Sequence, residues 1–295
     1  MPHRIKPRPH PDIERKHYEK QWYSTPDSPP FFMERFTINK DHPNVAEIFS
    51  GLEIDLVLSG TGTLYFDGKK YPMVTGGACF YDCTIPHAYS IDTNTPMVVL
   101  GLHILVDPVL QLSFKKGDLR LYEPFLAQRH GFSPILTESL VFHTIINNAF
   151  SHYEKRGPDW DMCVWSCIIS TLIELRRQFA HAADSKFTEV KSNQNEVVVK
   201  AIQFINANCQ NPLNLKEIAR HCCCSTSLLS HAFSRAMNSS PIDYRNRLRI
   251  VRSLSMITQT LTSLNQIALE CGFSSFSQFY DLFKRITGRT PASLR

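Results

Sequence analysis

A tandem repeat of one short helical unit constrains this chain more than any other feature. Ile218-Ala219, Cys223 and Ser225 recur as Ile267-Ala268, Gly272 and Ser274 at an offset of 49 residues. Phe233-Ser234-Arg235 recurs as Phe283-Lys284-Arg285, and Pro241-x-x-Tyr244-Arg245 as Pro291-x-x-Leu294-Arg295. There the offset is 50, so the second copy holds one extra residue. Two similar helical units in tandem make a surface suited to a partner that is itself periodic, and the grooves of duplex DNA are such a partner.

Charge follows the repeat. Residues 191–295 carry 13 Lys/Arg against 5 Asp/Glu, whereas residues 1–190 carry 19 against 22. A basic domain attached to a mildly acidic one fits a nucleic-acid reader with a separate control module. At 295 residues the chain has room for about two domains. It holds no run of eighteen apolar residues, so no membrane span is expected. The basic, proline-rich N-terminus lacks the apolar core of a secretory signal, and a cytoplasmic protein with reduced thiols is expected. The nine cysteines, three of them consecutive at Cys222-Cys223-Cys224, fit neither a disulfide framework nor a zinc spacing; no metal and no cofactor are expected.

The pattern along the chain predicts an α+β protein of two domains. Seven prolines fall within residues 1–30, which reads as an extended arm. From Phe31 to Val106 the signals are β. The apolar run Ile54–Leu58 ends at Ser59-Gly60, and Asp67-Gly68 marks a type I′ hairpin. Short, closely spaced strands suggest a small barrel or sandwich. Residues 138–155 and 159–182 then take helical spacing. Val164, Ile168, Thr171, Leu172 and Leu175 form one stripe and Trp165, Ile169 and Leu172 a neighbouring one, wide enough for both the core and a second copy of the chain. Residues 31–183 are therefore assigned to a sensing and dimerisation domain, 184–195 to a polar linker and 196–295 to the repeat.

Each repeat reads as a helix-turn-helix. In the first, Leu215–His221 forms a short helix and Ser225 caps the next, whose Leu229, Ala232, Phe233 and Ala236 face a core. Ser227, Ser230 and His231 face outward and are candidates for reading base edges. In the second, Leu264–Glu270 precedes a turn at Gly272, then a helix with Phe276, Phe279, Phe283 and Ile286 inward and Ser277, Gln278 and Asp281 outward as base readers. Asn238 and Gly288 suit the two helix stops. Pro241 suits the first turn of a linking helix that carries Arg245, Arg247, Arg249 and Arg252. Arg235, Arg249, Arg252, Lys284 and Arg285 are the candidate phosphate contacts.

At these residues the sequence resembles the AraC/XylS family of bacterial transcription regulators. The match runs from Ile267 through Gly272-Phe273-Ser274 to Phe283-Lys284-Arg285, continues with Gly288-x-x-Pro291, and covers residues 195–295. The resemblance implies a sequence-specific DNA-binding regulator, usually an activator, working on promoter DNA with RNA polymerase, and not an enzyme. This chain departs from the family at Cys223, where a turn glycine is usual, and at Asp281, where a basic residue is common. The N-terminal half is similar to the family's cupin-like sensor at Gly60-x-Gly62, Asp67-Gly68, Gly76-Gly77 and Pro86-His87, without the His-x-His of metal-binding cupins. The resemblance implies a small-molecule effector such as a sugar, for which Tyr65, Tyr71, Tyr81, His87, Tyr89 and His103 offer polar-tipped aromatic groups. Two other readings stay open: an effector-independent DNA-binding regulator, and a cupin enzyme fused to a DNA-binding domain.

Overall fold

The structure, a computed structural model, describes residues 29–40, 51–85, 87–91, 93–112, 119–128, 130, 132–136, 140–182 and 192–294. All but the last two residues of the expected N-terminal arm lie outside the described residues, as does the expected linker up to 191.

The N-terminal domain stacks two antiparallel sheets. Its strands are β1 (Phe31–Ile38), β2 (Leu52–Ser59), β3 (Thr61–Phe66), β4 (Lys69–Val74), β5 (Ala78–Asp82), β6 (His87–Ser90), β7 (Met97–Ile104) and β8 (Ile135–Leu136). One sheet has the order β1-β7-β2-β5-β8 and the other β4-β3-β6. The tight turn between β3 and β4 is the predicted one, with Asp67 at φ 48° and Gly68 at φ 74°. Among the described residues no ladder joins the two sheets, so the domain is an open, cupin-like sandwich and not a closed barrel.

The five-stranded sheet is covered on both faces. Leu52, Ile54, Leu56, Phe80, Leu100, Leu102 and Ile104 point one way, into a core shared with the helices. Val57, Cys79, Tyr81, Met97 and Val99 point the other way, against Leu64, Phe66, Met73 and Tyr89 of the smaller sheet. Alternation along a strand produces these two sets, since successive side chains leave on opposite faces.

Four helices complete the domain: α1 (Val106–Gln111), α2 (Glu123–Gln128), α3 (Leu140–Lys155) and α4 (Trp160–Ala182). The last two pack as a hairpin against the sheet. The predicted stripe Val164, Ile168, Thr171, Leu172 and Leu175 is fully buried. Trp165 packs at its margin and stacks on Phe31 at 6.2 Å between ring centroids. The opposite face of α4 keeps Met162 64% and Ile173 38% exposed. No helix among the described residues is long and apolar enough to cross a membrane.

The C-terminal domain is all helical: α5 (Ser192–Asn208), α6 (Leu215–His221), α7 (Thr226–Met237), α8 (Pro241–Gln259), α9 (Leu264–Glu270), α10 (Phe276–Thr287) and a closing 3-10 turn at Pro291–Leu294. Helix α5 begins within the segment expected as linker. Local chemistry sets the helix ends. The side chains of Asn214, Ser225, Ser240, Ser263 and Ser275 each accept a backbone N–H at the start of a helix, and Asn214 forms a reciprocal box with Glu217. Asn238 at φ 44° and Gly288 at φ 72° stop α7 and α10 in the left-handed region.

The two domains share one continuous apolar core and also touch through polar groups. Asn206 of α5 donates to Asp107 of α1 at 2.8 Å and accepts from Tyr244 of α8 at 3.0 Å. Arg247 donates to the Thr84 carbonyl at 3.3 Å.

Candidate nucleic-acid interface and sandwich interior

In each unit the short helix and the reading helix are joined by a tight turn whose left-handed residue is Cys223 at φ 53° in the first copy and Gly272 at φ 87° in the second. Leu229, Ala232, Phe233 and Ala236 bury the inner face of α7; Phe279, Leu282 and Phe283 bury that of α10. Ser227, His231 and Arg235 are exposed on the other side of α7, and Ser230 is half-buried there. On α10, Ser277, Gln278, Asp281, Lys284 and Arg285 are all exposed along one face. Gln278 accepts from Ser274 at 3.0 Å, which orients its amide at the start of the helix. Lys284 and Arg285 sit in the last turn, where cations also favour the helix dipole.

The linking helix differs from expectation. Arg252 is exposed, but Arg249 is 4% exposed and donates to the carbonyls of Cys209 and Asn211. Arg249 is therefore not placed to meet a phosphate, contrary to expectation, because its donors point into the protein. Arg245 donates to the Leu213 carbonyl and Arg247 to that of Thr84, so these two also spend donors on the protein's own backbone. On a helix that packs against both units, position relative to the cores decides whether an arginine faces solvent, and arginine content alone does not reveal it.

In the N-terminal domain the expected aromatic set separates. Tyr81, His87, Tyr89 and His103 are all buried between the sheets. Tyr71 is half-buried at the edge of the same core. Tyr65 lies on the outer face of β3, with Lys70 5.2 Å from its ring centroid and Ser90 3.4 Å from its hydroxyl. Its neighbours Leu64 and Phe66 occupy the inward positions, so Tyr65 cannot line the interior.

The inner residues converge on two carboxylates that sequence reading missed, Glu53 and Asp55. Both are buried. Asp55 Oδ2 accepts from Tyr81 at 2.8 Å and also from Tyr89, whose hydroxyl lies 3.0 Å from the Cys79 thiol. Glu53 Oε2 lies 3.6 Å from His103 Nδ1 and 3.7 Å from His87 Nε2, and His103 Nε2 lies 3.8 Å from Glu34. The alternation Glu53-Ile54-Asp55-Leu56 carried the signal, but it reads equally as a solvent-facing polar set. Gly101 makes room for the cluster: a Cβ there would lie 3.0 Å from Asp55 Oδ1 and 3.1 Å from His103 Nε2.

Burial dominates the ionisation of this cluster. It raises the Glu53 carboxyl well above its usual range, with the Asp55 charge adding to the effect. It pushes Asp55 up to about 6, against the hydrogen bonds from Tyr89 and Tyr81. It also lowers His103, helped by His87. At neutral pH the interior thus pairs an Asp55 carboxylate, held by Tyr81 and Tyr89, with a Glu53 carboxyl biased toward its neutral form and a neutral His103, a set of donors and acceptors suited to hydroxyls. Among the described residues no three His, Cys, Asp or Glu side chains are grouped to hold a metal ion.

Comparison with known proteins follows the same division. Residues 218–295 match the helix-turn-helix domain family, and residues 46–104 match the cupin domain family. The transcriptional activator RhaR of Mannheimia succiniciproducens is 19% identical over 290 residues, covering 96% of this chain and 90% of that protein. Residues 218–295 are thus a helix-turn-helix domain of the AraC type, and nearly the whole chain is similar to a regulator of that kind. The regulator ArgR of Pseudomonas aeruginosa is 37% identical over 94 residues, a match spanning 32% of this chain and only 29% of ArgR. The fold of the whole chain is that of ToxT from Vibrio cholerae solved with an unsaturated fatty acid bound, at a TM-score of 0.55 and 15% identity, covering 88% of this chain and 93% of ToxT.

Proposed function

We propose that this chain is a cytoplasmic, effector-responsive transcription activator that binds promoter DNA as a homodimer and acts on RNA polymerase, and that it is not an enzyme. The observation that carries the reading is the pair of reading helices, α7 and α10, each with its apolar face buried and its polar face exposed at the same place after a capped turn. Ser227, Ser230 and His231 on α7 and Ser277, Gln278 and Asp281 on α10 would meet base edges, with Arg235, Arg252, Lys284 and Arg285 on phosphates. Asp281 would be tolerated where it accepts from a cytosine amino group. RhaR and its relative RhaS of Klebsiella pneumoniae, 21% identical over 246 residues, are both named activators, which supports that output here.

Phosphate contact has a measurable signature. Replacing Lys284 and Arg285 together by Ala is expected to weaken binding on every duplex alike and to flatten the slope of log affinity against log salt by about 1.8. A gel-shift series across salt concentrations tests it, and an unchanged slope would remove both residues from the interface.

The effector is assigned to the sandwich interior, as a sugar or related polar metabolite held by Tyr81, His87, Tyr89 and His103 around Glu53 and Asp55. A relative from Haemophilus influenzae, 26% identical over 108 residues, is named a xylose operon regulatory protein, in keeping with that class. The same close burial also favours a second reading, an effector-independent regulator whose interior is simply core. Thermal melting against a panel of pentoses and hexoses separates the two, since an effector raises the midpoint with its concentration.

The exposed side of α4 supports the dimer. Met162 and Ile173 lie three turns apart on one face, with the small Ser166 and Ser170 between them. Met162→Glu with Ile173→Glu should halve the mass found by sedimentation at micromolar concentration. A mass equal to wild type would place the interface elsewhere.

A further inference from the structure

Two cores meet at one residue of α8. Tyr244 and Leu248 belong to the core that holds the first helix-turn-helix unit and continues into the N-terminal domain, and Ile250 and Ile257 to that of the second unit. Arg249 lies between them. Its Nε donates to the Cys209 carbonyl at 2.5 Å and its Nη2 to the Asn211 carbonyl at 2.8 Å, both in the turn that leads from α5 into α6 of the first unit. Its guanidinium lies 5.6 Å from the ring centroid of Phe273, in the turn of the second unit. Beside it Gly272 faces the Gln210 carbonyl so closely that a Cβ would collide with it, and that Cβ would lie 2.9 Å from Arg249 Nη2. A buried cation is costly, and this one spends its planar fork on bridging two units that otherwise pack mainly within themselves and on α8. Burial, with Arg245 nearby, brings its pKa down to about 10, so it stays charged at neutral pH.

We propose that Arg249 is a positioning residue that fixes the distance and angle between α7 and α10, and thereby the half-site spacing in DNA that the chain accepts. The proposal rests on the DNA-binding reading above. Once one unit is docked, the other is held near its half-site at a high effective concentration, but only at the separation the junction enforces. A looser junction spreads the second unit over many separations. The best-spaced duplex then loses affinity and poorly spaced ones gain relative to it.

The test uses the full chain and a duplex that wild type selects from a random 30-base-pair pool, with half-sites located by footprinting. Derivatives carry one to three inserted base pairs, or only one half-site. Wild type should lose most of its affinity on insertion. Arg249→Met should lose on the order of 10²-fold on the selected duplex, bind a single half-site as wild type does, and show a flattened spacing profile. Arg249→Lys keeps the charge and much of the stem but not the fork, and should fall between the two. A wild-type spacing profile in a folded variant overturns the proposal. So does an equal loss on full and single half-site duplexes with a lowered melting midpoint, which would make Arg249 only a folding residue. If wild type selects no duplex at all, the DNA-binding reading itself fails, and the spacing role with it.

Discussion

Gly272→Ala is expected to destabilise the C-terminal domain by about 2–5 kcal/mol, while Cys223→Gly, at the matching turn of the first unit, should change stability by no more than about 1 kcal/mol. Both turns need a left-handed residue, with φ 87° at Gly272 and 53° at Cys223. The difference lies in what surrounds them. Cys223 is exposed, so its Cβ costs only the backbone strain. Gly272 abuts the Gln210 carbonyl and the Arg249 guanidinium, so a methyl there adds a collision with backbone that cannot swing aside. Denaturant melts of the two full-length variants check this. Equal midpoints for Gly272→Ala and wild type would mean that the junction can open at little cost.

Raising the pH from 4 to 6.5 is expected to destabilise the N-terminal domain more in wild type than in Asp55→Asn. The sign comes from the direction of each shift. Asp55 titrates near 6 in the fold against an ordinary value of 3.8. Its contribution is full below the unfolded value and is lost as pH rises through the folded one, on the order of 3 kcal/mol for this fully buried group. Glu53 is shifted the same way by its burial and by the Asp55 charge, so it adds to the loss. His103 is depressed, so its contribution is lost as pH falls below its usual 6.5 and opposes the carboxyls there. His103 and the buried thiols are common to wild type and Asp55→Asn, so the difference between the two proteins isolates Asp55. Denaturant midpoints of wild type and Asp55→Asn at the two pH values decide the matter. A difference between them that does not change with pH would show that Asp55 is ionised and compensated in the fold.

What could be read from the chain was what neighbouring residues decide. The helix start at Ser225, the stops at Asn238 and Gly288, the Asp67-Gly68 turn and most of the inner faces of α7 and α10 follow from hydrogen bonding, backbone freedom and periodicity within a few residues, although Phe276, expected inward, is 37% exposed. The repeat made two such readings agree, which turned a common pattern into a specific one. The exposed face of α10 was legible for the same reason: once Phe279 and Phe283 are buried, geometry puts Gln278, Lys284 and Arg285 outside.

Tertiary structure decided the rest. Period-two alternation on β2 gives two faces, but not which is covered. The second sheet closes over Glu53 and Asp55 and makes them a buried pair where a solvated edge was equally allowed. On β3 the same rule turned Tyr65 outward, although its composition matched the residues inside. Arg249 differs from Arg252 by less than a helical turn, yet one bridges two cores and the other faces solvent, because only the packing of α8 against both units fixes its rotation. Sequence by itself determined the elements, the repeat and the reading faces. Which charged groups are enclosed, and by what, required the elements to meet, since burial depends on partners far away in the chain.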